Sequence, residues 1–210
     1  VKGKKNMVII GAGGHARVVI DTAEQLNFQI KGIIDIDFKK QDERILGYPV
    51  LGDFSVLQKF DPVNTTTIVA LGDTEKRAHY FHRILKLGFT LETLIHPTAI
   101  VSRHAKIGKG VFVNVAAIIN SAVIIKDNVI INTGVIIDHE TEIGEHCHIG
   151  PGVKIAGRVK IGHHSFIGIG TTIIDKIAIG ENTVIGAGTV VINNVNPNST
   201  VVGVPGKRIK

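Results

Sequence analysis

From residue 95 to residue 191 every sixth position is Ile or Val. That interval is neither the 3.6 of an amphipathic helix nor the 2 of a half-buried strand. The series runs Ile95, Val101, Ile107, Val113, Ile119 and on through Ile185 to Val191, and it has a companion. Two residues before each member, from Ala105 onward, stands a small or β-branched residue, among them Ala117, Val135, Thr141, Cys147 and Thr189. A six-residue period specifies a parallel β-helix in which each hexad is a short strand and a turn, with about eighteen residues to a triangular coil. The aliphatic residue points into the prism and stacks on its equivalent one coil away, at the ~4.8 Å strand spacing. One coil buries little, so the stack has to be long.

The residue after each aliphatic position sorts the hexads into three columns. One reads Asn114, Asn132, Gly150, Gly168, Gly186, a second Gly108, Lys126, Gly144, Gly162, Gly180, and the third Asn120, Asp138, Ala156, Ile174, Ile192. Gly and Asn in the first two predict corners with positive φ.

The sharp onset of this pattern in a chain of 210 residues predicts two domains, 1–94 and 95–192, and a tail over 193–210. Residues 1–5 carry three lysines and read as a disordered end. An apolar strand over 7–10 runs straight into Gly11, Ala12, Gly13, Gly14 and His15, then a helix to about residue 26. Further strands are predicted over 30–35 and 67–71, a short helix over 54–60 capped by Asp53, and a longer one over 75–87 ending at Gly88. Strand, glycine turn, helix, strand is the start of a Rossmann-like parallel α/β domain, too short for a full dinucleotide fold. Asn and Pro break the repeat over 193–199, and the tail is expected to leave the β-helix there.

No apolar run reaches membrane-spanning length, and the apolar residues 7–10 are stopped by glycines, so a cytoplasmic protein without a signal peptide is expected. The one cysteine, Cys147, falls on an inward register and reads as a packed thiol. A net charge of +6 suits anionic ligands. Few aromatics and no dense basic block disfavour nucleic acid.

The Gly13–Gly14–His15 turn opens a helix, where bare amides favour a phosphate. Asp35, about twenty residues on at a strand end, is where a carboxylate meets a ribose hydroxyl. A nucleotide or nucleotide-sugar, a dinucleotide, and a tight packing turn all remain open on this pattern. Gly72, at the end of the third strand, borders the same crevice.

In the repeat, Asp138, His139 and Glu140 form the densest polar group. A carboxylate beside an imidazole fixes its tautomer and favours proton uptake. His139 is expected on a side wall. His148, half a coil further on, falls on another face, so the two could meet only between subunits. His146 and His148 alternate and could share a face, which admits a zinc reading. No third ligand is fixed by spacing, and no metal is expected.

These residues resemble the left-handed β-helix acyltransferases, and more narrowly the bacterial nucleotide-aminosugar N-acetyltransferases related to sialic acid O-acetyltransferases. The marks are the turn from Gly11 to His15, Asp35, Gly72, the entry Ile95-His96-Pro97-Thr98-Ala99, His139-Glu140, His148 and Val202-Gly203-Val204-Pro205. The resemblance implies a left-handed coil, a homotrimer and acetyl-CoA as cosubstrate, with active sites between subunits. It assigns His139 as general base, oriented by Glu140, with Asn132 near the reacting groups. Gly13, Gly14, His15, Asp35 and Gly72 would hold the nucleotide-sugar. His148 would contact the acetyl donor, Gly150, Gly168 and Gly186 would leave a bare ridge for pantetheine, and Val204 and Lys207 would close over the adenine end, with Arg208 also near the phosphates. The implied activity is N-acetylation of a nucleotide-linked 4-amino-6-deoxysugar for glycan or O-antigen synthesis. The alternatives are a sialic-acid-type O-acetyltransferase, a nucleotide-binding trimeric scaffold and a zinc-dependent β-helix enzyme.

Overall fold

The computed structural model describes residues 4–37 and 43–210. Residues 1–3 of the expected disordered end lie outside these. Lys5, by contrast, is ordered: its ammonium pairs with Glu92 and its carbonyl accepts from Gln29 N at 2.9 Å. The chain divides into two compact units, residues 1–97 and 98–210.

The first unit is an α/β layer. Its strands are β1 (Asn6–Ile10), β2 (Gln29–Ile34), β3 (Arg44–Ile45), β4 (Tyr48–Gly52), β5 (Thr65–Val69) and β6 (Thr90–Leu91), and its helices α1 (Gly14–Gln25) and α2 (Thr74–Lys86). The sheet order is β3-β4-β2-β1-β5-β6, parallel throughout except for β3. Met7, Val8, Ile9 and Ile10 are all fully buried, as a strand covered on both faces requires. Two features escape sequence reasoning. The third strand starts two residues before its apolar run because Thr65, Thr66 and Thr67 are buried and Thr66 and Thr67 hydroxyls donate to Thr90 O. The β3–β4 hairpin turns through Leu46 and Gly47, both at positive φ, and a leucine gives no turn signal.

The second unit is the β-helix. Strands two residues long pair in parallel with partners eighteen positions away, Ile118 with Ile136 and Ile124 with Glu142. Three faces result. The first carries Ile118–Ile119, Ile136–Ile137 and Lys154–Ile155, the second Ile124–Ile125, Glu142–Ile143 and Lys160–Ile161, and the third Ile130–Ile131, His148–Ile149 and Phe166–Ile167. Ile137, Ile143, Ile149 and Ile167 are fully buried. The small-residue register is buried too from Val111 onward, and several of its polar members are satisfied across the coil, although the buried Thr189 hydroxyl has no partner among the described residues. Thr141, Ser165 and Thr171 hydroxyls donate to the carbonyls of Ala156, Gly180 and Gly186 at 3.0–3.2 Å, and Cys147 Sγ donates to Gly162 O at 3.1 Å. A hydroxyl that reaches a carbonyl can sit in a core that would reject it unpaired.

The corners correct the expected glycine columns. The left-handed residue stands three after the aliphatic one, not one after it. Asn128, Glu140, His146, Arg158, His164 and Lys176 all lie at φ 58–61°. The column glycines instead take ordinary φ and are demanded by the neighbouring coil: a Cβ at Gly150 would lie 2.8 Å from Ile167 O, and one at Gly168 2.7 Å from Ala187 N. The absent side chains at Gly150 and Gly168 therefore answer to stacking within the prism. At Gly186 the obstacle is the Val202 side chain at 2.8 Å.

The repeat register ends near Ile192, but the coil runs on. Val195 bridges Ile179, and Thr200–Val202 pairs in parallel with Val184–Ile185. Lys207–Arg208 then folds back antiparallel on Val201–Val202. The residues over 193–199 interrupt the spacing while leaving the stack intact.

Candidate functional site

The first unit presents a crevice of about 380 Å³ at the C-terminal ends of β1, β2 and β5, lined by Ala12, Gly13, Asp35, Ile36, Asp37, Glu43, Leu71, Gly72, Asp73 and Lys76. Parallel neighbours splay their loops apart at such a switch in strand order. Gly11, at φ 113°, is required by the close approach of β5, since a Cβ there would lie 2.8 Å from Ala70 O. Gly13 and Gly14 have open space where a Cβ would be. Gly13 caps α1 without a side-chain acceptor, and no acidic residue stands in the first turn. Helix N-terminal amides of this kind, at the positive end of a helix, are a setting for phosphate. His15 is half-buried in that turn. Asp35 Oδ1 accepts from Asp37 N at 3.1 Å, which turns the chain at the crevice wall. The opposite wall is held by Arg77. Its fully buried guanidinium donates to the carbonyls of Leu71 and Gly72 at 3.0 and 3.1 Å.

Sequence reasoning missed Lys76, a cation of this crevice, which stands 3.9 Å from Asp37 Oδ2. Asp73 and the helix start were legible. That β1 lies between β2 and β5, and so brings the start of α2 beside that of α1, was not.

In the β-helix, Asp138, His139 and Glu140 occupy the corner between the first and second faces rather than a flat wall. Asp138 Oδ1 accepts from His139 N at 2.7 Å and from Asn120 Nδ2, one coil away, at 3.0 Å. His139 Nδ1 and Glu140 Oε2 are 3.0 Å apart. With the carboxylate accepting from Nδ1–H, the lone pair resides on Nε2. The side chain is 46% exposed.

His148 lies on the third face, across the prism from this corner. Its Nε2 is 3.4 Å from Asn132 Nδ2, and its ring meets Phe166 edge-on at 5.1 Å. Asn132 Oδ1 accepts from Asn114 Nδ2 at 3.1 Å. The chain thus carries two polar clusters, His139–Glu140 and Asn132–His148, too far around the prism to serve one site in a single chain. His146 does not share the face of His148. It sits 4% exposed in the preceding left-handed turn, with Nδ1 2.8 Å from Asn128 Nδ2 and its ring 4.8 Å from that of His164. Among the described residues no group of three or more His, Cys, Asp and Glu is placed to hold a metal ion. In the tail, Val204 is 73% exposed, and Lys207 lies on the terminal hairpin.

The Asp138 carboxyl is held below its ordinary value of 3.8, chiefly by the His139 backbone amide, with Asn120 adding to the effect and partial burial opposing it. A lowered folded-state value contributes stability that is complete above the ordinary value and is lost as pH falls through the lowered one. We expect Asp138→Asn to flatten the acid limb of the thermal midpoint against pH below about pH 4. Parallel limbs in the two proteins would rule out this role for Asp138.

A strand-turn-helix crevice followed by a hexapeptide-repeat prism with a half-exposed, carboxylate-paired imidazole defines an acyltransferase of the hexapeptide class. Residues 6–84 match the family described as PglD N-terminal domain. Residues 122–157 and 158–193 each match bacterial transferase hexapeptide (six repeats). PerB from Caulobacter crescentus, solved in complex with CoA and GDP-perosamine, is 36% identical with a TM-score of 0.93, over 100% of this chain and 99% of that one. The acetyltransferase domain of PglB from Neisseria gonorrhoeae, solved with acetyl coenzyme A, is 34% identical with a TM-score of 0.93, over 99% of this chain and 100% of that one. UDP-N-acetylbacillosamine N-acetyltransferase from Bacillus subtilis is 30% identical over 113 residues, 52% of this chain and 51% of that protein. The match thus spans about half the length of that curated relative. The chain belongs to the hexapeptide-repeat N-acetyltransferases that act on nucleotide-linked aminosugars.

Proposed function

We propose that this protein transfers the acetyl group of acetyl-CoA to the amine of a nucleotide-linked 4-amino-6-deoxysugar, as a cytoplasmic homotrimer supplying glycan or O-antigen synthesis. The observation that carries the chemistry is the His139–Glu140 pair, with Nδ1 engaged at 3.0 Å on a half-exposed side chain. The substrate nitrogen attacks the thioester carbonyl, a C–N bond forms and the C–S bond breaks. His139 Nε2 takes the amine proton, and the departing CoA sulfur is reprotonated. An amine is a capable nucleophile once deprotonated, so positioning and one base supply most of the acceleration.

The nucleotide binds in the first-unit crevice, with its phosphates on the Gly13–Gly14–His15 turn and Asp35 toward the ribose or base. Gly72 borders it, and Lys76 adds a cation beside the phosphates. Asn132 and His148 serve the acetyl donor on the third face. Because that face lies opposite the His139 corner, each active site takes its base from one subunit and its donor contacts from a neighbour. Val204 and Lys207 close over the adenine end of CoA.

The test mixes purified protein with acetyl-CoA and GDP-, UDP- or dTDP-linked 4-amino-4,6-dideoxyhexoses and follows free CoA thiol. Release with an aminosugar and not with its 4-hydroxy counterpart is the expected result. Release only with sialic acid would make it an O-acetyltransferase. No release from any acceptor defeats the proposal.

A further inference from the structure

We propose that Gly157 is a positioning residue for His139, because its missing side chain leaves the space in which the imidazole stands. The inference rests on the reading of His139 as base. Gly157 lies one coil beyond His139 at the same corner, in the turn position filled by Ser121 and Asp175 in the flanking coils. Its φ is outside the left-handed region, so the backbone conformation itself does not call for glycine. A Cβ there would lie 2.7 Å from His139 Cε1, 2.7 Å from Nε2 and 3.2 Å from Cδ2. The three atoms it would meet first all belong to this one ring. At Gly144, Gly150, Gly162 and Gly168, by contrast, the nearest atoms are backbone of the next coil.

The difference decides what a methyl group would do. Stacked backbone yields little, but a half-exposed imidazole turns about its side-chain torsions. An alanine at 157 would push the ring off its perch, either separating Nδ1 from Glu140 or filling the space beside Nε2. Misplacing a reacting group by about 1 Å can cost roughly 10²-fold in rate. Substrate binding, which depends on other residues, would be spared.

Wild type, G157A, H139A and the double variant G157A/H139A are compared by steady-state kinetics and by thermal unfolding. The kinetic acceptor is whichever of the GDP-, UDP- and dTDP-linked aminosugars the wild type uses. For G157A we expect kcat to fall by about 30-fold or more while both KM values stay within about threefold. In unfolding, the penalty of G157A should be present with the histidine in place and absent in the H139A background, a coupling that needs no substrate. G157A activity within threefold of wild type, or equal unfolding shifts in both backgrounds, would overturn the inference. If G157A fails to fold, a folded double variant supports the ring contact and an unfolded one overturns it. Full activity of H139A defeats the base assignment instead, and the unfolding comparison still reports on the contact.

Discussion

Replacing His139 with alanine is expected to lower kcat by about 10²–10⁴ while leaving nucleotide-sugar affinity within a few-fold of wild type. The reason is geometric. His139 stands on a turn fixed from above by Asn120 and from within by Asp138, and these contacts stay in place when the ring is removed. The first-unit crevice proposed to hold the nucleotide is lined by none of these residues. Glu140→Ala should cost less, because the imidazole remains and only its tautomer and orientation are freed. Calorimetric titration with the nucleotide-sugar, set beside steady-state rates, separates the two quantities. Equal loss in both, or in neither, would remove His139 from the role of base.

The largest stability effect is expected at Gly162. A Cβ there would stand 2.4 Å from Glu181 N and 2.7 Å from Glu181 Cα, both backbone of the next coil. The coils must part locally, straining the Gly162 N to Ile179 O bond at 2.8 Å and the Asn182 N to His163 O bond at 2.9 Å. Overpacking costs about 1–3 kcal/mol, and each weakened ladder bond adds about 1 kcal/mol. Gly162→Ala should therefore lower the thermal midpoint by roughly 10 °C. Gly152→Asn is the control. Gly152 sits at φ 66° with open space around it, at the hexad position where Asn128 and Asn182, at another corner of the prism, already adopt that conformation. The shared feature is the place in the hexad, three after the aliphatic residue, and the column is a different one: Gly152 stacks with Gly134 and Gly170, also left-handed, and its midpoint should move by a degree or two at most. Similar shifts at the two positions would contradict the division between glycines that serve close approach and residues that serve handed turns.

The β-helix was legible because its signal is long and redundant. One interval, repeated from Ile95 to Val191, states the period, the inward residue and the coil length together. The first unit was legible in its strand-turn-helix order and in the cap Asp53, whose carboxylate accepts from Ser55 N; the equivalent cap Asp73, which accepts from Lys76 N, was not read. What misled was any feature whose cause lies eighteen residues away. Glycine after the aliphatic position was read as a positive-φ corner, when the cause is the backbone of the neighbouring coil. His146 and His148 looked like residues of one face, when a left-handed turn at His146 sends the first into the core and leaves the second on the wall. Coil continuation past 192 was hidden because Thr200 pairs with Val184 out of the regular spacing.

The sequence by itself determined that this chain stacks hexads into a prism, that a glycine turn between strand and helix precedes it, and that an imidazole stands beside a carboxylate. Those follow from local periodicity and from neighbours in the chain, which the order of residues records directly. Only the tertiary structure decided that His146 is buried in a turn away from the face of His148, that Lys76 joins the crevice, and that Gly157 stands against the His139 ring. Each of these depends on which segments the sheets place side by side, a distance through space that residue order does not encode.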